Sequence, residues 1–183
     1  MTTILSLGLL SFGIVLSGCA SSSANDGALG SSVTQATTIE AEPSAVAGTW
    51  TFALASSDVA APLEERCKKE SGNDAAKSKA CWDEIATQAR MEKIRFAKNA
   101  AGHTMWTSFE TDGTKENVFV EVPVELAKDG PGHLVARITG APKGEHAARF
   151  SKASVNAMRI EVVDARTIAM VDPKKGRLVY TKE

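Results

Sequence analysis

The chain has 183 residues, 43% of them hydrophobic, with 21 basic side chains against 22 acidic ones and three cysteines. That balance is ordinary for a globular protein and excludes a disordered chain, a collagen and a multi-span membrane protein. Near-neutrality also removes the cationic footprint with which nucleic-acid binders displace counterions from phosphates, and an odd cysteine count asks where the third thiol goes.

No charged side chain precedes Asp26. Ile4–Leu16 is an apolar run of about 13 residues, roughly 20 Å as a helix, too short for a ~30 Å hydrocarbon core. A short apolar run at the extreme N-terminus that ends in small residues reads as a cleaved signal peptide, residues 1–18. Met1-Thr2-Thr3 departs from the usual pattern, because it lacks the Lys or Arg with which such peptides start. Leu16-Ser17-Gly18-Cys19 resembles the lipobox of bacterial lipoproteins: an aliphatic residue, two small residues, then Cys. The resemblance implies that the Cys19 sulfur takes diacylglycerol, that the preceding peptide is removed, and that fatty acid such as palmitate also caps the new amino group. Two or three acyl chains at ~0.8 kcal/mol per buried CH₂ hold a protein on a bilayer, whereas one chain is marginal. Ala20, not Asp, follows Cys19; by the sorting rule of the Gram-negative members this implies the outer membrane.

Residues 19–45 are expected to form a lipid-anchored flexible tether. They are mostly Ser, Thr, Ala and Gly, with no aromatic and only Asp26, Glu40 and Glu42 charged. Such a segment buries too little apolar surface to offset its ordering entropy, and as a coil it spans roughly 25–30 Å. Residues 46–183 form the expected domain, long enough for one core.

Thr49–Leu54 reads as a strand. Ser57 and Asp58 are placed to cap a helix from about Val59 to Glu70. Ser71-Gly72-Asn73 breaks it, and a second helix runs from about Asp74 to Met91, with Ala80, Trp82, Ile85, Ala86 and Ala89 at helical spacing. Together they make a helical hairpin over 58–91. Beyond Met91 the period changes to two, giving strands near 92–98, 103–110, 116–126, 133–139, 157–163, 166–171 and 177–182. Gly, Asn, Asp and Pro clusters separate them. Val118, Val120, Val122, Val124 and Leu126 share one face of the long strand, and Glu121 and Glu125 the other, as in an antiparallel sheet with one wet side. Pro123 points to a bulge or an edge there. The fold class is mainly β (α+β): an antiparallel eight-stranded meander, barrel or half-barrel, with the helical hairpin between strands 1 and 2.

With Cys19 assigned to lipid, Cys67 and Cys81 face each other across the hairpin. An exported protein sits in a disulfide-permissive compartment, and closing a loop of about 15 residues is worth roughly 3 kcal/mol in the chain-entropy model. A redox role is disfavoured by their separation, and no His or further Cys is near enough in sequence to suggest metal.

Gly48-Thr49-Trp50 resembles the Gly-x-Trp opening of lipocalin-like (calycin) barrels, and Asp164–Lys182 resembles the last hairpin of bacterial lipocalin-like domains. The resemblance implies that Trp50 lies at a closed barrel end against a late basic side chain, with Lys182, Arg177 or neither in that place. It also implies an apolar pocket. Trp50, Ile94, Phe96, Val118, Val120, Val122, Ile138, Met158, Ile160, Ile168 and Met170 are the candidates for pocket or core, and 5% aromatics is low for a ligand site. Trp106 and Phe109 fall on opposite strand faces, so one is expected outside as an interaction residue; Trp82 is expected to pack the hairpin onto the sheet.

His103, His133 and His146 lie in or beside turns, and neither a paired metal-binding spacing nor a Gly-x-Ser-x-Gly elbow occurs. No catalytic residue, metal, cofactor or nucleic-acid partner is expected. The leading expectation is a non-catalytic envelope lipoprotein that binds an apolar small molecule or lipid. The alternative is a structural or protein-interaction module of the outer membrane with a filled core.

Overall fold

The structure is a computed structural model and describes residues 40–148 and 157–183; the expected signal peptide, the lipobox-like run with Cys19 and most of the expected tether lie outside the described residues. The strands are β1 (Gly48–Phe52), β2 (Glu92–Lys98), β3 (Thr104–Thr111), β4 (Glu116–Lys128), β5 (His133–Ile138), β6 (Ala157–Asp164), β7 (Thr167–Asp172) and β8 (Gly176–Lys182). They pair in chain order, all antiparallel, and β8 returns to β1 to close a barrel. Closure leaves no open sheet edge, which decides between the barrel and the half-barrel. Helices α1 (Ala60–Glu70) and α2 (Ala75–Met91) lie between β1 and β2.

Alternation does the folding work. Ile94 and Phe96 of β2, Trp106 of β3, Val120, Val122 and Val124 of β4, Leu134 and Ala136 of β5, Ile160 of β6 and Ile168 of β7 point inward as one buried cluster. Two bulges interrupt the pattern. Ser108 pairs with Val120 but Phe109 pairs with Val118, so Phe119 is the extra residue. A one-residue slip turns every following side chain to the other face. Val118, expected inside, is therefore turned outward and is 38% exposed. In β6, Val162 pairs with Ile168 and Asp164 with Thr167, which leaves Val163 as the extra residue, also exposed. Pro123 marks neither bulge nor edge. It pairs with Met105, accepts a hydrogen bond from the Thr139 N–H at 3.0 Å, and lies against Gly140, where a Cβ would stand 2.7 Å from its ring.

Packing begins before Val46, the expected boundary. A 3₁₀ turn at Pro43–Val46 buries Val46 fully, Ala41 is 2% exposed, and Glu40 and Glu42 both reach Lys128 at the end of β4. Residues 40–45 thus belong with the barrel. Pro43 starts the turn, and the small apolar Ala41 and Ala45 join or pack on the core although their composition reads as tether.

Ser57 and Asp58 do not cap α1; its N-cap position is Val59, with no side-chain bond. Both residues reach sideways to β8 instead. Ser57 Oγ accepts from the Val179 N–H at 2.8 Å and donates to the Ala53 carbonyl at 3.0 Å. Asp58 Oδ2 accepts from the Arg177 N–H at 2.7 Å. Asp58 sits where a Cβ on Gly176 would be 2.3 Å from its carboxylate, and Gly176 has φ +74°, so glycine is required there twice over. α2 has a true cap, because Asp74 accepts from the Lys77 N–H at 3.0 Å.

Candidate functional site

The candidate pocket residues fall into three groups. Trp50, Ile94, Phe96, Val120, Val122, Met158, Ile160 and Ile168 are buried members of the central cluster. Ile138 and Met170 are half-buried and pack against it. Val118 is outside. The buried group meets across the interior, with Trp50, Phe96, Leu134, Ile160 and Ile168 all below 2% exposed. These side chains form one buried cluster in the interior, and an eight-stranded barrel is narrow enough for side chains to fill it.

Trp50, in the middle of β1, donates its indole N–H to the Val46 carbonyl at 2.8 Å. Lys182 is its cross-strand partner, and Lys182 Nζ lies 5.1 Å from the ring centroid. The late basic partner is therefore Lys182. Gly48 makes room for it: a Cβ there would meet Lys182 Cε at 3.2 Å, and φ at Gly48 is +121°. The Gly-Thr-Trp run thus reads as a packing device in which the glycine lets the lysine stem lie along the indole.

Trp106 and Phe109 do fall on opposite faces, but neither is exposed. Trp106 joins the core. Phe109 is covered on the outer face by Arg95, whose guanidinium carbon is 4.5 Å from the ring centroid and which pairs with Glu116. Of the histidines, His146 stacks on Phe119 at 5.1 Å, His133 Nδ1 lies 2.7 Å from the Pro131 carbonyl, and His103 borders a cleft. The fold does not bring these three together.

Cys67 and Cys81 are joined, with Cα atoms 5.7 Å apart. Cys67 is the buried residue of α1 and Ala89 that of α2. Ala89 is where α2 turns its stripe to the barrel. Trp82 lies on the same stripe two turns earlier, about 10 Å along the axis, and there it lines a groove with residues of α1 and α2. The expectation that it packs the hairpin onto the sheet is not met: it is neither in the barrel's core cluster nor among the partly buried hydrophobics packed against it. The groove measures about 550 Å³. A second surface cleft of about 940 Å³ lies between the 3₁₀ turn at Pro43 and the β2–β3 turn, lined among others by Phe96, Lys98, His103, Pro123 and Leu126.

Charges with shifted acidity are few. Burial and the neighbouring Glu110 hold the Glu92 carboxyl above the usual range, with Lys175 opposing. Glu92 and Glu110 are directly paired across β2 and β3, a like-charge contact. Burial, with Glu92 adding to it, raises the Tyr180 phenol. The hydrogen bond from Lys93, aided by Thr51, lowers the Glu183 carboxyl against partial burial. Among the described residues no group of three or more His, Cys, Asp or Glu is arranged to hold a metal ion.

Fold and geometry together define a closed, internally packed eight-stranded antiparallel barrel bearing a disulfide-stapled helical hairpin. No protein-family model, curated protein or solved structure matches the chain.

Proposed function

We propose that this chain is a lipid-anchored protein of the bacterial envelope, tethered through Cys19, whose barrel is a non-catalytic structural and interaction module rather than a container for a ligand. The filled interior carries this reading over the apolar-pocket one: the side chains that would line a lipid chamber pack on one another instead. The lipobox-like Leu16-Ser17-Gly18-Cys19 supports the anchor, and Ala20 favours the outer membrane. The Cys67–Cys81 bond suits an oxidising compartment. The Trp50–Lys182 contact and the eight-stranded closure support the resemblance to lipocalin-like barrels. No helix among the described residues is long and apolar enough to cross a membrane.

Metabolic labelling with a fatty acid, followed by intact mass measurement, tests the anchor. The wild-type chain should begin at Cys19, carry the mass of diacylglycerol plus acyl, and fractionate with outer membranes. A Cys19→Ala variant should take no label. A mature chain that keeps residues 1–18, or label retained by Cys19→Ala, contradicts the reading.

A further inference from the structure

We propose that the groove between α1 and α2 is a glycan-binding site with Trp82 as its stacking platform, an inference that rests on the envelope reading for where such a glycan is met. The groove, about 550 Å³, is lined by Glu64, Lys68, Asn73, Ser78, Lys79 and Trp82 among its residues. That size lies within the roughly 300–1,000 Å³ of small-ligand sites. Trp82 is half-buried and is no part of the barrel's core. A large indole kept at the surface of a hairpin that buries so little offers rigid contact area at small entropic cost.

The groove's chemistry selects the ligand. A sugar ring presents an apolar C–H face, which an indole can cover, and hydroxyls that each donate and accept. Around Trp82 stand the Lys68 and Lys79 ammonium donors, the Glu64 acceptor, and Asn73 and Ser78, which do both. The Asn73 and Ser78 side chains make no hydrogen bond to the described residues, so these groups are free for a ligand. Lys68 pairs with Glu64 at 2.9 Å and Lys79 pairs with Asp83, all with side chains more than half exposed. A neutral, hydroxyl-rich ligand adds hydrogen bonds there and leaves these charges hydrated. An apolar helix or acyl chain laid in the same place would strip them of water at a cost.

The walls are also set in advance. Cys67 precedes Lys68 and Cys81 precedes Trp82, so the disulfide ties the two walls at the height of the site. Asn73 is the one non-glycine among the described residues with positive φ, +66°, and its N–H bonds the Lys68 carbonyl at 3.1 Å. A groove fixed before binding loses less entropy on binding.

The test is cosedimentation of the full chain, in detergent and with its disulfide intact, with purified cell-wall sacculi stripped of protein, competed by soluble N-acetylglucosamine oligomers. Wild type should sediment and be released by the oligomers. Trp82→Ala should weaken binding at least tenfold with an unchanged melting temperature, Trp82→Phe should weaken it less, and reduction of the disulfide should weaken it too. Failure of the wild type to bind stripped sacculi overturns the proposal, as does binding that appears only when sacculi keep their proteins, or a Trp82→Ala variant that binds like wild type. None of these results bears on acylation of Cys19, which the labelling experiment reads separately.

Discussion

In the barrel, Trp50, Phe96, Leu134, Ile160 and Ile168, from five of the strands, are each buried to below 2% exposure and belong to one apolar cluster. In the helical hairpin, the one buried residue of α1 is a cysteine and that of α2 an alanine. The first region is held by apolar burial at roughly 25 cal/mol per Å². The second has almost none of that and relies on the Cys67–Cys81 bond, the Asp74 cap and the Ser57 and Asp58 attachments to β8. The contrast shows how a chain can add a surface element without enlarging its core: it fixes the loop covalently and ties its root to the sheet by hydrogen bonds. An element held in this way is free to expose a tryptophan.

The largest effect expected belongs to the core. Phe96→Ala should cost about 3–5 kcal/mol, read as a loss of most of the global stability in urea unfolding; a cost below about 1 kcal/mol would mean that the interior has room to spare. Next comes the staple. The double variant Cys67→Ser with Cys81→Ser should cost about 2–4 kcal/mol or less, and hydrogen exchange should place the loss in α1 and α2 while β2 to β8 keep their protection. Equal loss of protection in both regions would mean that hairpin and barrel unfold as one unit. Smaller still, Ser57→Ala should cost about 1–3 kcal/mol, because it leaves the Val179 N–H without its acceptor, while the Ala53 carbonyl keeps the Ser56 N–H. Its exchange signature should appear at the root of the hairpin and at β8.

The smallest effect is a pH dependence with two opposed parts. The Glu92 carboxyl is raised in the folded chain by burial and by Glu110, so folding favours its protonated form. Its contribution is present at acid pH and is lost as pH rises through the raised value. Glu92→Gln should therefore stabilise the protein at neutral pH and not at pH 4. The Glu183 carboxyl is lowered by Lys93, so its contribution is present above the ordinary carboxylate range and disappears as pH falls through the lowered value. It is the weaker part, since the pair lies near the surface. A thermal melt series from pH 2 to pH 8 on Glu92→Gln and on Glu183→Gln separates the two.

Most strands were legible because the period-two pattern is local, and the hairpin was legible from its spacing and its glycine break. The disulfide followed from the hairpin. What stayed hidden depended on residues far apart in sequence. The bulge at Phe119 exists only relative to β3, so Val118 reads as inward until the pairing is known. Phe109 is covered by Arg95 from another strand, which no count of apolar residues could indicate. Ser57 and Asp58 look like helix caps locally and are claimed by β8, more than a hundred residues away. Ala41 and Val46 gain their burial from the barrel they meet. Trp82 shares helical spacing with Ala89, yet it lines a groove with residues of α1, which depends on how the hairpin folds back.

A barrel filled by its own side chains leaves no room for a bound lipid. Native mass spectrometry of the full chain, extracted gently from its membrane and compared with the same sample denatured, tests it most directly. The mass should be the same in both states apart from detergent: the chain with its disulfide and any covalent lipid. A lipid or other apolar molecule retained one-to-one in the native state, and retained equally by Trp82→Ala, would contradict it.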